Sequence, residues 1–351
     1  MRPTDISINR TLPLSSDPKL RRKFKLIDES IPGNMRWGKL LEELDKLAED
    51  VALDYVHRFN EEARVVTAAI DDIALHTPAD IKRDICFRAR INYVGRTSME
   101  VGIRVDQDGL ENPSLASCYF TMVARIGKGE NARSLPIEPL KYKDELEKER
   151  YQAAIERRKS YRNQMDALQE PPSNKEYQML RQLHLAQEKE DFDGLLAGDL
   201  VRSSWERMFP EQENVPEKIF GGYVIRRAFE LATMHAEEIA PDRPAFVRVN
   251  RINFLEPVRI GDKLDFKSQI IYTGNTSISI EINIERISKD QVTRALSNTC
   301  VFTFVNVDEN MQPHPVPKVY PTTYAEDERY LKSHRRRKEY KEYKEARENE
   351  D

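Results

Sequence analysis

Apolar and polar residues alternate with a period of two in two stretches of the chain that closely match each other. The first is YVGRTSMEVGIRV at residues 93–105, and the second is YTGNTSISIEINI at residues 272–284. Each begins with an aromatic residue, a glycine and a Thr-Ser pair, and each follows another alternating segment, ICFRARINY or LDFKSQIIY. Period-two alternation is typical of β-strands. The sequence therefore predicts the same strand pair twice, at Gly95 and again at Gly274.

Two longer segments carry apolar residues every three or four positions, as an amphipathic helix does. The first is GKLLEELDKLAEDVALDYVHRF, which begins at Gly38, and the second is GGYVIRRAFELATMHAEEI, which begins at Gly221. Each helical segment precedes one set of alternating strands, so both halves follow the order of leading strand, helix and about four more strands. This order predicts an α+β fold, duplicated, in which a long helix lies along an antiparallel sheet.

Composition changes between the halves and after them, which predicts four regions. Residues 1–135 form the N-terminal domain, 136–198 a charged helical linker, 199–325 the C-terminal domain and 326–351 a charged tail. Positive and negative residues mix closely in the end of the tail, HRRRKEYKEYKEARENED. This pattern favours a solvated helix or disorder over an arm that binds nucleic acid.

Overall composition excludes several classes of protein. The 351 residues are 39% hydrophobic and 33% charged, with a formal net charge of −4, which gives no electrostatic reason to expect nucleic acid. No apolar run approaches the 18 or so residues of a membrane-spanning helix. The three cysteines form no CxxC pair or zinc pattern, so we expect buried free thiols in a reducing compartment. The first residues contain no recognisable targeting leader.

Glycines at the start of both helical segments suggest a place where chemistry could occur. The start of a helix offers unpaired backbone N–H groups, and a glycine lets a carbonyl approach them closely. Such N–H groups can stabilise the oxyanion formed during attack on a thioester. Close packing of helix against strand is the alternative reason for these glycines.

One carboxylate stands out against this background. Asp45 lies seven residues after Gly38 and next to the apolar stripe of its helix, where an acid is costly unless it is paired or used. Phe229 takes the corresponding position, seven residues after Gly222. The sequence therefore predicts one composite site, in which Asp45 faces the backbone N–H groups of Gly222 and Tyr223.

Two asparagines precede the helix starts, Asn34 in IPGNMRWG and Asn214 in EQENVPEKIFGG. Either side chain could orient water or the substrate carbonyl, although a turn or cap role is the more frequent one. No histidine lies near a serine or cysteine in a nucleophile motif such as GxSxG.

The order of segments in the second half, IFGGYVIRRAFELA, RVNRINFLEPVRIGDKLDF, YTGNTSISIEINI and NTCVFTFVNV, resembles that of the hotdog-fold acyl-CoA thioesterases. The first half matches too, through LPLSSDPKLRRKF, RWGKLLEELDKLA and YVGRTSMEV, as in the mitochondrial type with tandem domains. The resemblance implies two tandem hotdog domains, each an antiparallel sheet wrapped around a long central helix. It also implies hydrolysis of fatty acyl-CoA at clefts between the two units.

The resemblance further implies roles for particular residues. Asp45 corresponds to the family's catalytic aspartate, as general base or as nucleophile, and the helix-opening glycines correspond to Gly221 and Gly222. The GRTS and GNTS turns are candidates for contact with coenzyme A, or they only shape the entry into a strand; their residues are Arg96, Thr97, Ser98, Asn275, Thr276 and Ser277. The family needs no metal or bound cofactor, forms homo-oligomers and acts in mitochondria, with the cytoplasm as the alternative because no leader is visible.

Two other functions fit the same pattern. The first is a non-catalytic acyl-CoA-binding or assembly subunit, which the missing acid at Phe229 would permit. The second is a hotdog hydratase or dehydratase, which needs a histidine paired with an acid at the cleft. His57 and His235 lie late in the two helical segments, away from their starts, which disfavours this reading.

Overall fold

The computed structural model describes residues 1–27, 33–71, 73–107, 109, 113–127, 131–215, 218–219 and 221–348, without the side chains of 213–215, 218–219 and 340–348. Within the described residues, the first half begins with a short 3₁₀ turn and contains two helices and seven strands. In chain order these are β1 (Ile8–Leu12), α1 (Pro18–Phe24), α2 (Trp37–His57), β2 (Arg64–Ile70), β3 (Ile73–Ala74), β4 (Ile85–Val94), β5 (Ser98–Gln107), β6 (Ser114–Ile126) and β7 (Arg133–Ser134).

The connection and the second half follow the same plan, with additional helices before and after. The connection contains α3 (Glu145–Gln169), α4 (Asn174–Gln187) and β8 (Leu195–Leu196). The second half contains β9 (Val201–Arg207), β10 (Glu213–Val215), β11 (Lys218–Ile219), α5 (Gly221–Glu237), β12 (Arg243–Val249), β13 (Ile252–Asn253), β14 (Lys263–Thr273), β15 (Ser277–Ile287), β16 (Arg294–Val307), β17 (Val319–Tyr320) and α6 (Tyr324–Glu348). The expected α+β class is confirmed.

Each half is an antiparallel sheet with one long helix against its inner face. The first sheet has the strand order β1-β4-β5-β6-β2, and the second has the matching order β14 beside β15, β16 and β12, with β9 at its edge. The apolar stripes of α2 and α5 are buried as the sequence predicts, for example at Leu44, Val51, Val224 and Ala228. The buried cysteines Cys118 and Cys300 lie in β6 and β16 and are free thiols.

The two halves exchange short strands with each other. Strand β13 of the second half pairs with β2 of the first, and β3 of the first half pairs with β12 of the second. Each sheet is thus completed by two residues of the other half, and α2 packs directly on α5. Neither range, 1–135 or 199–325, contains every strand of its own sheet. The strand exchange fixes how the start of one long helix faces the middle of the other.

Helices α3 and α6 cover the outer faces of the two sheets. Arg157 of α3 forms an ion pair with the buried Glu100 of β5, and Arg329 of α6 forms one with Glu281 of β15. The tail from His334 onward is helical as far as Glu348, as one of the two expectations had it, but its first residues pack against the connection instead of being solvated. Arg335 has 15% of its side chain exposed and forms an ion pair with Glu176 of α4. The reason is that α6 runs across the connection at this point and does not extend into solvent. None of the helices described is long and apolar enough to cross a membrane.

Candidate active site

The carboxylate of Asp45 lies where α2, α5 and β2 meet. The side chain is fully buried, as expected for a residue on the apolar stripe of α2. Its Oδ2 accepts a hydrogen bond of 2.7 Å from the backbone N–H of Gly222, at the start of α5. Its Oδ1 accepts one of 2.6 Å from the Thr67 hydroxyl of β2. The acid of the first long helix therefore contacts the start of the second, as the sequence predicts.

The surroundings of Asp45 change its acidity. Burial raises the pKa of Asp45 from 3.8 to about 6, because the charged form loses its contact with water. The hydrogen bonds from Thr67 and Gly222 favour the charged form and oppose this rise, while the nearby carboxylate of Glu42 adds to it. The side chain thus changes its charge close to neutral pH, as suits a group that accepts and returns a proton.

Glycine at position 221 permits the close approach that builds this site. A Cβ atom there would lie 2.9 Å from the ring of Phe254 and 3.4 Å from Oδ2 of Asp45. Phe254 directly follows β13, and its backbone N–H donates to the Ala68 carbonyl at 3.0 Å, next to Thr67. The exchanged strand thus places an aromatic ring of the second half beside the acid of the first.

A cleft of about 380 Å³ leads from this point to the surface between the two halves. Its walls are largely apolar and include Val66, Val123, Leu255 and Val258, while Thr67, Gly221 and Phe254 lie at its inner part. Arg125 of β6 also lines it, and this guanidinium donates through Nη2 to the Ala132 carbonyl at 2.8 Å. Its Nε is buried and has no hydrogen-bond partner among the residues described.

The residues predicted at the helix start have distinct contacts in the structure. The N–H of Gly222 binds the Asp45 carboxylate, so it is not open to a substrate carbonyl as we expected. The reason is that α2 and α5 pack closely enough for direct contact. The Tyr223 hydroxyl donates to Glu206 of β9.

Of the two predicted asparagines, the structure describes the side chain of Asn34 only. Asn34 is buried, and its Oδ1 accepts from the Ile27 N–H at 3.0 Å, a contact within its own loop. Its Nδ2 is buried without a partner among the residues described. The backbone of Asn214 lies in β10, and its side chain lies outside what the structure describes.

The two Thr-Ser turns occupy corresponding places in the two halves. In the first, the Thr97 carbonyl accepts from the N–H of Ala124, which puts the turn of Arg96, Thr97 and Ser98 beside Arg125. In the second, the Asn275 carbonyl accepts from the Val316 N–H and the Thr276 carbonyl from the Asn306 N–H, and Ser277 begins β15. Of the two turns, the first therefore lies next to a residue of the cleft, Arg125.

The second half carries aromatic residues where the first half carries its polar site. Thr67 pairs with Met122 just before a bulge in β2, and Phe246 pairs with Phe304 just before the matching bulge in β12. Phe246 thus stands where Thr67 does, and Phe229 stands where Asp45 does. The rings of Phe229 and Phe246 contact each other edge to face, with centroids 5.0 Å apart. The corresponding site is filled by a packed aromatic cluster.

Three functional candidates were missed by the sequence reasoning. Thr67 lies in RVVTAAI, an ordinary strand sequence, and only its register against β6 aims it at Asp45. Arg125 and Phe254 likewise give no motif signal. An alignment of the two halves could have found Thr67. It places Thr67 at the position of Phe246, so the first half has a polar residue where the second has an aromatic one, as it does at Asp45 and Phe229.

The histidines of the long helices have structural contacts. His57 Nε2 lies 2.9 Å from the Ala63 carbonyl oxygen, at the far end of α2. His235 is buried, and its Nδ1 lies 2.6 Å from Oγ of Ser268. Burial lowers the pKa of His235 to about 4, so its ring is neutral at physiological pH. Neither ring contacts Asp45.

Comparison with known proteins gives a consistent family. A sequence model of the Thioesterase superfamily matches residues 46–113 and 218–293. The chain is 30% identical to acyl-coenzyme A thioesterase 9, mitochondrial, of Mus musculus, over 94% of this chain and 77% of that protein. It is 31% identical to acyl-coenzyme A thioesterase 2, chloroplastic, of Humulus lupulus, over 90% of this chain and 77% of that protein.

A solved structure with the same architecture extends over most of the chain. The putative oleoyl thioesterase from Lactobacillus plantarum aligns with a TM-score of 0.52 and 8% identity, over 86% of this chain and 96% of that one. At this identity the likeness concerns the fold alone. Together with the two family matches, it confirms the expectation of two tandem hotdog units.

Proposed function

Because this chain belongs to the acyl-CoA thioesterases of the thioesterase superfamily, we propose that it hydrolyses acyl-CoA at one composite site built around Asp45. The observation that carries this proposal is the buried Asp45 carboxylate, shared between Thr67 of its own half and Gly222 of the other. An isolated buried carboxylate is costly, and here its raised pKa suits the transfer of a proton near neutral pH.

In the proposed reaction Asp45 activates water. The ionised carboxylate takes a proton from a water molecule, whose oxygen forms a bond to the thioester carbon. The carbon–sulfur bond then breaks, and Asp45 returns the proton to the leaving thiolate, which yields a free acid and coenzyme A. Direct attack by Asp45 remains the alternative, and a general base typically contributes about 10² to 10⁴ in rate.

Thr67 and Gly222 orient the base in this scheme. Each donates one hydrogen bond to a different oxygen of Asp45, so the carboxylate cannot rotate. Each carboxylate oxygen has a second lone pair, which can accept the proton of the reacting water. If the carbonyl oxygen uses the Gly222 N–H in the transition state, as the sequence suggested, Asp45 must first release that group.

The cleft between the halves is the proposed path of the substrate. Its apolar walls suit the extended arm that joins the thioester to the phosphates of coenzyme A. Arg125 lies three residues beyond Met122, the cross-strand neighbour of Thr67, or about 10 Å along the strand. We expect Arg125 and the adjacent Arg96 turn to meet the phosphates, since guanidinium groups bind them well.

Under this proposal the second half contributes Gly222 and Phe254 to the site around Asp45 but forms no second site of its own. Phe229 and Phe246 replace the acid and the hydroxyl there, so we expect one active site for each chain. Neither competing function gains support from a specific contact. A hydratase needs a histidine beside the acid, and His57 and His235 bind other groups. A purely binding protein gives no reason to bury a carboxylate.

The proposal is tested by release of coenzyme A from a series of acyl-CoAs of increasing chain length. Asp45→Asn keeps the shape of the side chain and removes the base, so we expect its kcat/KM to fall roughly a hundredfold or more. Asp50→Asn is the matched control, because Asp50 lies on the same helix, half exposed, in an ion pair with Arg10.

The outcomes separate the possible functions. Release of coenzyme A by the wild type and Asp50→Asn, with loss in Asp45→Asn, is the expected result. Equal activity in all three would move the site elsewhere. Tight acyl-CoA binding without release by the wild type would favour the binding or assembly subunit.

Other properties of the family stay predictions for this chain. We expect the hydrolysis to need no metal or cofactor, and the chain to form homo-oligomers that sedimentation would detect as species above 40.9 kDa. Its relatives include mitochondrial and chloroplastic proteins, so we propose an organelle as its site of action, with mitochondria first.

A further inference from the structure

A second cavity, outside the active site, lies between α3 and α6 on the outer face of the second sheet. Its volume is about 230 Å³. Strands β12 and β16 form its floor, Tyr161 and Leu168 of α3 form one wall, and Lys332 and Arg336 of α6 form the other. The cavity thus exists only because the connection and the tail pack on the same sheet face.

Cationic side chains dominate the lining of this cavity. Five contribute to it, namely Arg248, Arg251, Arg329, Lys332 and Arg336. The lining includes two carboxylates, Glu281 and Glu339. Asp71 and Glu328 pair with Arg251 and Lys332 from outside the lining. Arg329 pairs with Glu281 inside the lining. Cations still outnumber carboxylates in the lining by five to two, so an anion suits this cavity better than a cation would.

A buried hydroxyl gives independent evidence for a ligand. Ser333 of α6, with 5% exposure, lines the cavity, and its Oγ has no hydrogen-bond partner among the residues that the structure describes. A buried polar group is nearly always hydrogen-bonded, so an unpartnered one at a cavity wall indicates a missing acceptor or donor. An anion with several oxygens would accept from Ser333 and from the surrounding cations together.

The groups around the cavity favour phosphate chemistry. Guanidinium groups bind phosphate oxygens in a fork, and lysine and serine add single donors. Asn250 helps to hold the guanidinium group of Arg336 in place. With the amide oriented so that its oxygen faces Arg336, that oxygen accepts hydrogen bonds from Nη1 and Nε at 2.7 and 2.9 Å. The cavity is smaller than the roughly 300–1,000 Å³ of pockets that enclose whole drug-sized ligands.

We propose that this cavity, the α3–α6 pocket, binds a phosphate or diphosphate group. The group can come from free inorganic anions or from the phosphate end of a nucleotide or of coenzyme A. The pocket adjoins the active site through the exchanged strand, because Arg251 and Asn253 line it and the next residue, Phe254, lines the substrate cleft.

The test is calorimetric titration of the full chain with sodium pyrophosphate, at constant ionic strength set by sodium chloride. We expect saturable binding to the wild type, weakened about tenfold or more in Lys332→Gln, which loses a charged donor. Ser333→Ala removes only the unpartnered hydroxyl, so it should fold normally and bind about three- to tenfold more weakly. Lys338→Gln is the charge-matched control on the exposed side of α6, and it should bind as the wild type does.

No saturable binding to the wild type would overturn the proposal, as would equal affinity in all four proteins. Parallel titrations with ADP and with coenzyme A identify the source of the phosphate. A molecule that binds more tightly than pyrophosphate, and more weakly to Lys332→Gln and Ser333→Ala, is assigned to this pocket. Binding that these variants leave unchanged belongs to the substrate cleft, and tighter binding of pyrophosphate assigns the pocket to the free anion. The assay is independent of catalysis, because Asp45→Asn should bind pyrophosphate like the wild type even if the proposed hydrolysis fails.

Discussion

At the scale of single residues, the site depends on one carboxylate held in an environment that disfavours its charge. Asp45 is surrounded by the apolar residues of α2 and receives one hydrogen bond from each of two directions. Loss of water outweighs these two bonds, and the pKa rises instead of falling. The sequence located this residue from its position on the stripe, while its acidity follows from the tertiary contacts.

The raised pKa of Asp45 predicts the pH dependence of catalysis. A base must be ionised, so kcat/KM for acyl-CoA should be nearly constant above pH 7 and fall about tenfold for each pH unit below about 6. Initial rates between pH 5 and 8, with a substrate that is stable over this range, measure the profile. A limb with its midpoint near pH 4 would show that Asp45 is not desolvated as the structure indicates.

The same pKa predicts that the site reduces stability. The folded-state pKa of about 6 lies above the ordinary 3.8, so the stabilising effect of a protonated Asp45 is complete below pH 3.8 and lost as pH rises through 6. At pH 7.5 the buried charge costs up to about 3 kcal/mol. Asp45→Asn should therefore raise the free energy of unfolding at pH 7.5, measured by urea denaturation, while it lowers activity. Equal stability at pH 7.5 would contradict this linkage.

At the scale of elements, the two copies of the helix and sheet differ in the residues at corresponding positions: one copy carries the polar groups of the proposed site, and the other carries aromatic rings. Helices α2 and α5 pack against matching sheets, and β2 and β12 have bulges at matching positions. The residues at those positions differ, Asp45 and Thr67 in one half and Phe229 and Phe246 in the other. The second half buries an aromatic cluster with Phe302 and Phe304, whose packing replaces the polar network.

Restoring the acid in the second half should not create a second site. Phe229→Asp would bury a carboxylate among three aromatic rings, with no hydroxyl at position 246 to bind it. We expect a loss of about 3–5 kcal/mol in the free energy of unfolding, and no gain in turnover per chain. Phe229→Leu is the control for lost volume and should cost less. A stable Phe229→Asp protein with higher turnover would disprove the claim that aromatic packing prevents a second active site in this half.

At the scale of the whole molecule, the two halves form one catalytic unit through noncovalent contacts. Strands β3 and β13 cross between the sheets, Arg251 of the second half pairs with Asp71 of the first, and Gly222 reaches Asp45. Gly222 and Asp45 lie 177 positions apart in the chain. The connection covers the sheets but does not carry the site.

A break in the connection should therefore leave the enzyme assembled. Pro171 and Pro172 are exposed between α3 and α4, and a protease recognition sequence inserted there can be cut after purification. We expect the cut protein to elute as one species in size-exclusion chromatography and to keep most of its activity. Residues 1–171 expressed alone should be inactive, because they lack Gly222. Separation into two fragments that both hydrolyse acyl-CoA would contradict a shared site.

The sequence by itself determined the elements and their duplication, because period-two and helical periodicities reflect which face of each segment is buried. It also located Asp45 and the glycine pair, since an acid on an apolar stripe and glycines at a helix start are local signals. Only the tertiary structure placed Thr67, Arg125 and Phe254 at the site. Their roles depend on strand register, on the bulge in β2 and on the exchange of β13, which join residues far apart in the chain. Tertiary contacts also decided the packing of the tail. The charge pattern of α6 does not show that part of this mostly polar helix is covered by another part of the protein.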